Sequence, residues 1–432
     1  MNGADQKILP LSRKISYSFG QIGVNIPTYL LIYIWAIYAP IGGTVLLKRE
    51  LIGAAFAIGV LVQAISNPFV GQISDKLVWK LGRRRPFLLM GTVPLVLSYA
   101  LLFRPISTLQ TANFIYLLID FAIFNFFYTF VVLPYLAMIP EISLTSQDRV
   151  KLLSVSAYFT IASVIILLTL VGILVGKGYS LFAIVSLISA IMAVSFLIPL
   201  LTIKEKFQQF SPKSFNLKDA FIATARNKTF MIYMASYVFL IFGIYSFIGA
   251  LTYYAGAVVL PGSSTTAYEA FASYMLAIVF IFVAIFSPLT MFVSKRYGKK
   301  KAMVFFSLML AIGLFILPVI PPNSILELIP VLAIVGMGAT SPLILTYAVL
   351  ADIIDEDEVN TGFRREGFYF GMQGLIERIP YSLSGFFIGV YVTLFAANLN
   401  FGMKLLPVIS ALSAIVMVII FTRVPLKEGL KE

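Results

Sequence analysis

The chain has 432 residues, 60% hydrophobic and 12% charged, with no cysteine, no histidine and a formal net charge of +13. That charge fraction is about half of what soluble domains carry. The missing residues exclude disulfides, thiol chemistry and the histidine-based zinc, haem and hydrolase sites, and the excess of Lys and Arg reads as cytoplasmic-loop bias rather than a nucleic-acid footprint.

Apolar runs of membrane-spanning length recur along the whole sequence, which predicts a polytopic helical membrane protein. A polar start reaches Ser12-Arg13-Lys14 and leads into an apolar stretch that reads as a retained first span rather than a cleavable signal peptide. About twelve spans are expected, at 16–40, 51–74, 86–103, 113–139, 153–175, 180–202, 229–258, 269–294, 302–320, 327–350, 367–395 and 402–422.

Basic residues orient these spans. With both termini cytoplasmic, only Lys48, Arg49, Arg104, Lys177 and Lys404 fall on outer segments. Arg378 lies inside a span, and the remaining Lys and Arg are all inner. The longest polar break divides the chain into a bundle over 1–202, a cytoplasmic linker over 203–228 and a second bundle over 229–432. A loop echo supports two parallel halves: Lys80-Leu81-Gly82-Arg83-Arg84-Arg85 follows span 2, and Arg296-Tyr297-Gly298-Lys299-Lys300-Lys301 follows span 8. Such repeats suit a transporter that alternates about a midplane site.

Charged and polar groups inside spans mark candidate function, because hydrocarbon penalises them. Glu377 and Arg378 lie about 15–17 Å from the start of span 11, near the middle of the core. Gln373, Glu377, Tyr381 and Ser384 form one helical stripe and Gly374, Arg378, Ser382 and Gly385 the next. Pro380 could kink the helix between them. Asp120 on span 4 is the other interior acid, and Tyr128, Tyr135, Tyr233, Tyr237 and Tyr245 offer rings with hydroxyls. A structural ion pair for Glu377 or Arg378 and an interfacial place for Asp120 stay open.

Three stretches resemble the glycoside–pentoside–hexuronide:cation symporters, the melibiose-permease-like group of the major facilitator superfamily. They are Asn67-Pro68-Phe69-Val70-Gly71-Gln72-Ile73-Ser74-Asp75 with Gly82-Arg83-Arg84-Arg85-Pro86-Phe87, Pro134-Tyr135-Leu136-Ala137-Met138-Ile139-Pro140-Glu141, and Ala351-Asp352 through Thr361-Gly362-Phe363-Arg364-Arg365-Glu366-Gly367. The resemblance implies an all-α fold of twelve transmembrane helices in two six-helix bundles related by pseudo-two-fold symmetry. It implies a monomeric secondary active transporter of the cell membrane, moving a sugar, glycoside or similar solute by alternating access.

The same comparison exposes departures. The family's cation-site acids fall on the neutral Gln63, Asn67 and Val132, and Asn25 stands where melibiose carriers have an acid. Thr129 matches a polar family position, Arg378 keeps the family's span-11 cation, and the sugar-stacking tryptophans fall on Leu136 and Leu343, with a sugar-binding arginine near Ala157. A sodium ion prefers several, partly anionic, oxygens. Proton coupling through Glu377 or Asp120 is therefore expected over sodium. No metal or organic cofactor is expected beyond a coupling ion, H+ or Na+. The candidate solute or coupling residues are Asn25, Gln63, Asn67, Asp120, Tyr128, Thr129, Gln373, Glu377 and Arg378. The candidate cytoplasmic gate comprises Asp75, Arg83, Arg84, Arg85, Glu141, Arg149, Asp352, Arg364, Arg365 and Glu366. Alternatives are an amphiphilic or lipid-like cargo, an uncoupled facilitator or, remotely, a membrane sensor or lipid-modifying enzyme, although no catalytic constellation is present.

Overall fold

A computed structural model describes residues 9–41, 43–76, 79, 82–143, 146–203, 224–362 and 366–426, and these are almost entirely helical. Most of the expected linker, 203–228, lies outside them. The chain divides into two compact units, Met1–Phe210 with Thr265–Tyr274, and Ser211–Ser264 with Met275–Glu432.

In the first unit the opening span is broken into α1 (Leu11–Ser18), α2 (Gly20–Leu30) and α3 (Ile32–Tyr38). Pro27 inside α2 removes one ladder hydrogen bond, and α3 turns away by 44°. Then come α4 (Arg49–Lys76), α5 (Arg85–Leu101), α6 (Gln110–Ala137), the single turn α7 (Ile139–Ile142), α8 (Ser146–Gly176) and α9 (Leu181–Thr202). The Ser180 side chain caps α9 by accepting from the Ala183 N–H.

The second unit begins with α10 (Lys228–Gly249), capped by Asn227, and the short α11 (Leu251–Tyr254), which runs into a π-helical turn at Ala255–Val259. The long α12 (Thr265–Tyr297) follows; its first ten residues belong to the first unit. α13 (Lys299–Ile316) and α14 (Ile325–Thr340) lead to a second π segment at Ser341–Leu345, then α15 (Thr346–Thr361), α16 (Glu366–Leu394) and α17 (Leu399–Phe421). Pro342 accounts for the π segment, since it cannot donate to the Gly338 carbonyl. The Ser341 hydroxyl donates to that carbonyl instead, at 3.1 Å. α15 carries the acidic stretch Asp352–Glu358 as helix and ends at Gly362, whose φ of 73° is the left-handed cap that glycine adopts freely. α16 runs unbroken through Pro380.

Each unit repeats one order of neighbours. In the first, α5 packs on α6 and α9, and α2 on α8 and α9. In the second, α13 packs on α14 and α17, and α10 on α16 and α17. The repeat hinted at by the two basic loops is thus present in the packing. Glycines permit the closest crossings: a Cβ at Gly338 would lie 2.2 Å from the Leu310 main-chain nitrogen.

Among the described residues, nine helices are long and apolar enough to cross a membrane, or ten with the bent first span. α5 is shorter, at 17 residues. α16 is not among the nine because Gln373, Glu377 and Arg378 interrupt its apolar run.

Candidate functional site

In the second unit, α10, α15 and α16 bring polar and aromatic groups together. The Tyr233 hydroxyl donates to the Thr346 carbonyl at 3.0 Å, and the rings of Tyr233 and Tyr237 stack 6.1 Å apart. The first residues after the π segment, Thr346 and Tyr347, face this cluster; π turns are frequent at functional sites. The Tyr347 hydroxyl is within electrostatic reach of both Glu377 and Arg378, yet the residue is 57% exposed. Glu377 also acts on Tyr233 and Tyr237.

One turn before Glu377, Gln373 is 2% exposed, and neither atom of its amide has a hydrogen-bond partner; Thr346 Oγ1 also lacks one. Buried polar atoms are normally satisfied, so these are waiting acceptors and donors. No described residue hydrogen-bonds or ion-pairs with the Glu377 carboxylate. The Arg378 guanidinium lies 5.9 Å from the centroid of the Tyr381 ring, which meets Tyr245 edge-on at 4.5 Å. A Cβ placed at Gly374 would meet nothing within 4 Å, so open space borders this face of α16. An amide, a carboxylate and a guanidinium beside tyrosine rings can hydrogen-bond a diol and pack against its apolar face.

In the first unit the neutral residues pair among themselves. The Asn25 amide donates to the Gln21 carbonyl at 2.7 Å and to Thr160 at 3.3 Å. The Thr129 hydroxyl donates to Asn67 at 3.1 Å, and the Tyr128 hydroxyl to the Val24 carbonyl at 2.8 Å. Gln63 is buried one turn before Asn67. Asp120 stands apart from these, about 13 Å along α6 from Thr129, near Tyr38 and Tyr116 instead. Leu136, Ala157 and Leu343, where the family pattern has its tryptophans and arginine, are exposed.

The loop charges pair within each unit. Arg83 and Arg84 both hold Glu141; Arg84 also donates to Ser74, and Arg85 to the Leu200 carbonyl at 2.8 Å. In the second unit Lys299 holds Asp352. The two pairings are alike: a base of the repeated loop meets an acid belonging to the span two further on, Glu141 on α7 just after α6 and Asp352 within α15. The side chains of Asp75, Arg149 and Glu366, and Arg364 and Arg365 entirely, lie outside the described residues.

The family model described as MFS/sugar transport protein matches residues 15–428. The chain belongs to this family. Among its relatives, the symporter YjmB of Bacillus subtilis (strain 168) is 27% identical over 89% of this chain and 83% of its own. An isoprimeverose transporter of Lactiplantibacillus pentosus is 25% identical over 90% of this chain and 81% of its own. The crystal structure of the nucleoside transporter NupG superposes with a TM-score of 0.68 at 16% identity, covering 96% of this chain and 98% of that one. At that identity the likeness is one of fold. This protein is a multi-pass, symporter-like major facilitator transporter for a small solute.

For a member of the MFS/sugar transport family, several residues here are hidden in the sequence. Glu269 is 4% exposed, and no described residue bonds its carboxylate. Hydropathy conceals it by placing the start of span 8 at 269, whereas α12 starts at Thr265. Thr160, Tyr38, Thr346 and Tyr347 carry no local signal, since their importance comes from partners far away in sequence. Lys14, in sequence only a topological charge, forms a buried ion pair with Asp148 at 2.5 Å.

Proposed function

We propose that this transporter moves a sugar, glycoside or similar polyhydroxylated solute across the cytoplasmic membrane by alternating access, coupled to protons rather than sodium. In this reading Gln373, Glu377 and Arg378 hold the solute hydroxyls while Tyr237, Tyr347 and Tyr381 cover its apolar face. The observation that carries it is Gln373, whose amide is buried beside Glu377 with both ends unpartnered. The preference for protons rests on the neutral oxygens of Gln63, Asn67 and Thr129, a poor set for sodium. Both termini are taken as cytoplasmic, and the transporter as a monomer.

An amphiphilic cargo is the second reading. It is favoured by Leu136 and Leu343, exposed aliphatic residues in place of the family's stacking aromatics.

The test is a thermal-shift screen of the purified protein against isoprimeverose, a nucleoside and a lysolipid, followed by uptake in proteoliposomes. Ligands that bind the folded state raise the melting temperature by mass action. Stabilisation by isoprimeverose that disappears in Gln373→Ala is the expected result. Stabilisation by the lysolipid alone would replace the sugar reading with the amphiphile.

A further inference from the structure

Asp120 is the buried acid that the solute cluster leaves unexplained. It stands ten residues beyond the start of α6, about 15 Å along the helix. It is 5% exposed, its Oδ2 has no hydrogen-bond partner, and no described residue forms an ion pair with it. Acids retained in such surroundings mark ion or proton paths.

The neighbouring groups can be named element by element. From α3 comes Tyr38, fully buried, with a hydroxyl that likewise has no partner, within electrostatic reach of Asp120 and Tyr116. On α6 itself Tyr116, one turn earlier, donates its hydroxyl to the Leu101 carbonyl at 2.9 Å and is reached by both Asp120 and Arg104. Arg104 is exposed and lies over the Phe182 ring. α5 contributes Tyr99, packed on Phe124 one turn beyond Asp120. α4 begins with Arg49 and Glu50, and its other charged residues, Asp75 and Lys76, are at its far end. None of these supplies Asp120 with a counterion. Glu377, by contrast, has the Arg378 cation at the next position.

We propose that Asp120, with Tyr38 beside it, is the proton-binding site of the transporter, and that this site rather than Glu377 carries the coupled proton. The chemistry is proton transfer alone. A hydronium ion gives its proton to the Asp120 carboxylate and leaves as water. The proton is held on Asp120 Oδ2, the oxygen that has no partner in the structure, and returns from there to water. The assignment rests on the coupled-transport reading but does not depend on which solute is moved.

The proton itself is the probe. Infrared difference spectra of the purified full-length protein between acid and alkaline pH should show a titrating carboxylic C=O band. Asp120→Asn should remove it, Tyr38→Phe should shift its frequency and midpoint, and Glu377→Gln should leave it in place. Should Asp120→Asn fail to fold, Asp120→Glu must move the band. A band that is unchanged in the Asp120 variants, or lost in Glu377→Gln, overturns the proposal. In proteoliposomes, Asp120→Asn should lose the stimulation of isoprimeverose uptake by a pH gradient while retaining isoprimeverose exchange. Absence of isoprimeverose uptake by the wild type would count against the substrate and leave the spectroscopic result to decide the proton site.

Discussion

Tyr17 on α1 and Tyr135 on α6 clasp each other. Each hydroxyl donates to the other residue's main-chain carbonyl, at 3.0 and 2.6 Å, and the rings stack 4.6 Å apart at an interplanar angle of 9°. Gly20 makes room for this, since a Cβ there would sit 2.4 Å from the Tyr135 ring. Replacing either tyrosine by phenylalanine removes one buried hydrogen bond while the carbonyl keeps a backbone donor, at a cost of about 0.5–1.5 kcal/mol. Removing both should cost less than the sum, because the two residues touch and the loss of one hydroxyl lets the other side chain shift. Thermal unfolding of Tyr17→Phe, Tyr135→Phe and the double variant checks this; full additivity would show that the two bonds act independently.

The corresponding ion pairs of the two units should differ in weight. Arg84 and Glu141 have side chains only 7% and 11% exposed, whereas Lys299 and Asp352 are 36% and 28% exposed. Glu141→Ala leaves Arg84 buried without its acid, a loss of about 3–5 kcal/mol. Lys299→Ala should cost about 1 kcal/mol or less, because solvent screens that pair. Melting temperatures of the two variants in one detergent should rank in that order.

On α16, Glu377→Gln should weaken solute binding and leave folding intact, because no described residue depends on this carboxylate for a bond. Arg378→Ala should likewise weaken solute binding, and it removes the cation over the Tyr381 ring. The measurement is solute-induced thermal stabilisation set beside the melting temperature of the unliganded protein. A large fall in the latter would mark the pair as structural.

Two glycine substitutions separate packing from function. Gly338→Ala drives a methyl group into the main chain of Leu310, and backbone cannot move aside as a side chain can. It should destabilise by about 1–3 kcal/mol or more and lower the yield of folded protein. Gly374→Ala meets open space, so it should fold normally and reduce uptake by intruding on the solute face. Normal uptake by Gly374→Ala would place that face outside the solute path.

Hydropathy makes the helices and the family legible, because burying backbone in lipid demands long apolar helices whatever the neighbours. It does not reveal where the helices end. Hydropathy ends the tenth span at 350, but the α-helix continues to Thr361, since leaving the membrane does not end the helical hydrogen-bond ladder. Stripe arithmetic on α16 holds for the same reason: Gln373 and Ser384, assigned to one face by spacing, are both 2% exposed. What the sequence does not display is pairing across helices. Arg83 and Glu141 are 58 residues apart, and Tyr33 donates to the Glu269 carbonyl across 236 residues. Asp120 is recognisable in sequence as an interior acid, but its companion Tyr38 is not, because the bend after α2 sets the direction of α3.

The Ser341–Leu345 segment works as a shim in the tenth span. One residue wider than an ordinary turn, it resets the angular phase of everything downstream. Excising Leu343 to restore plain α-helix would rotate Thr346 through Thr361 by about 100° and draw them back by about 1.5 Å. Tyr347 would then swing off the α16 cluster and Asp352 away from Lys299 in a single step, so the aromatic face and the ion pair of this helix are indexed to each other by one wide turn.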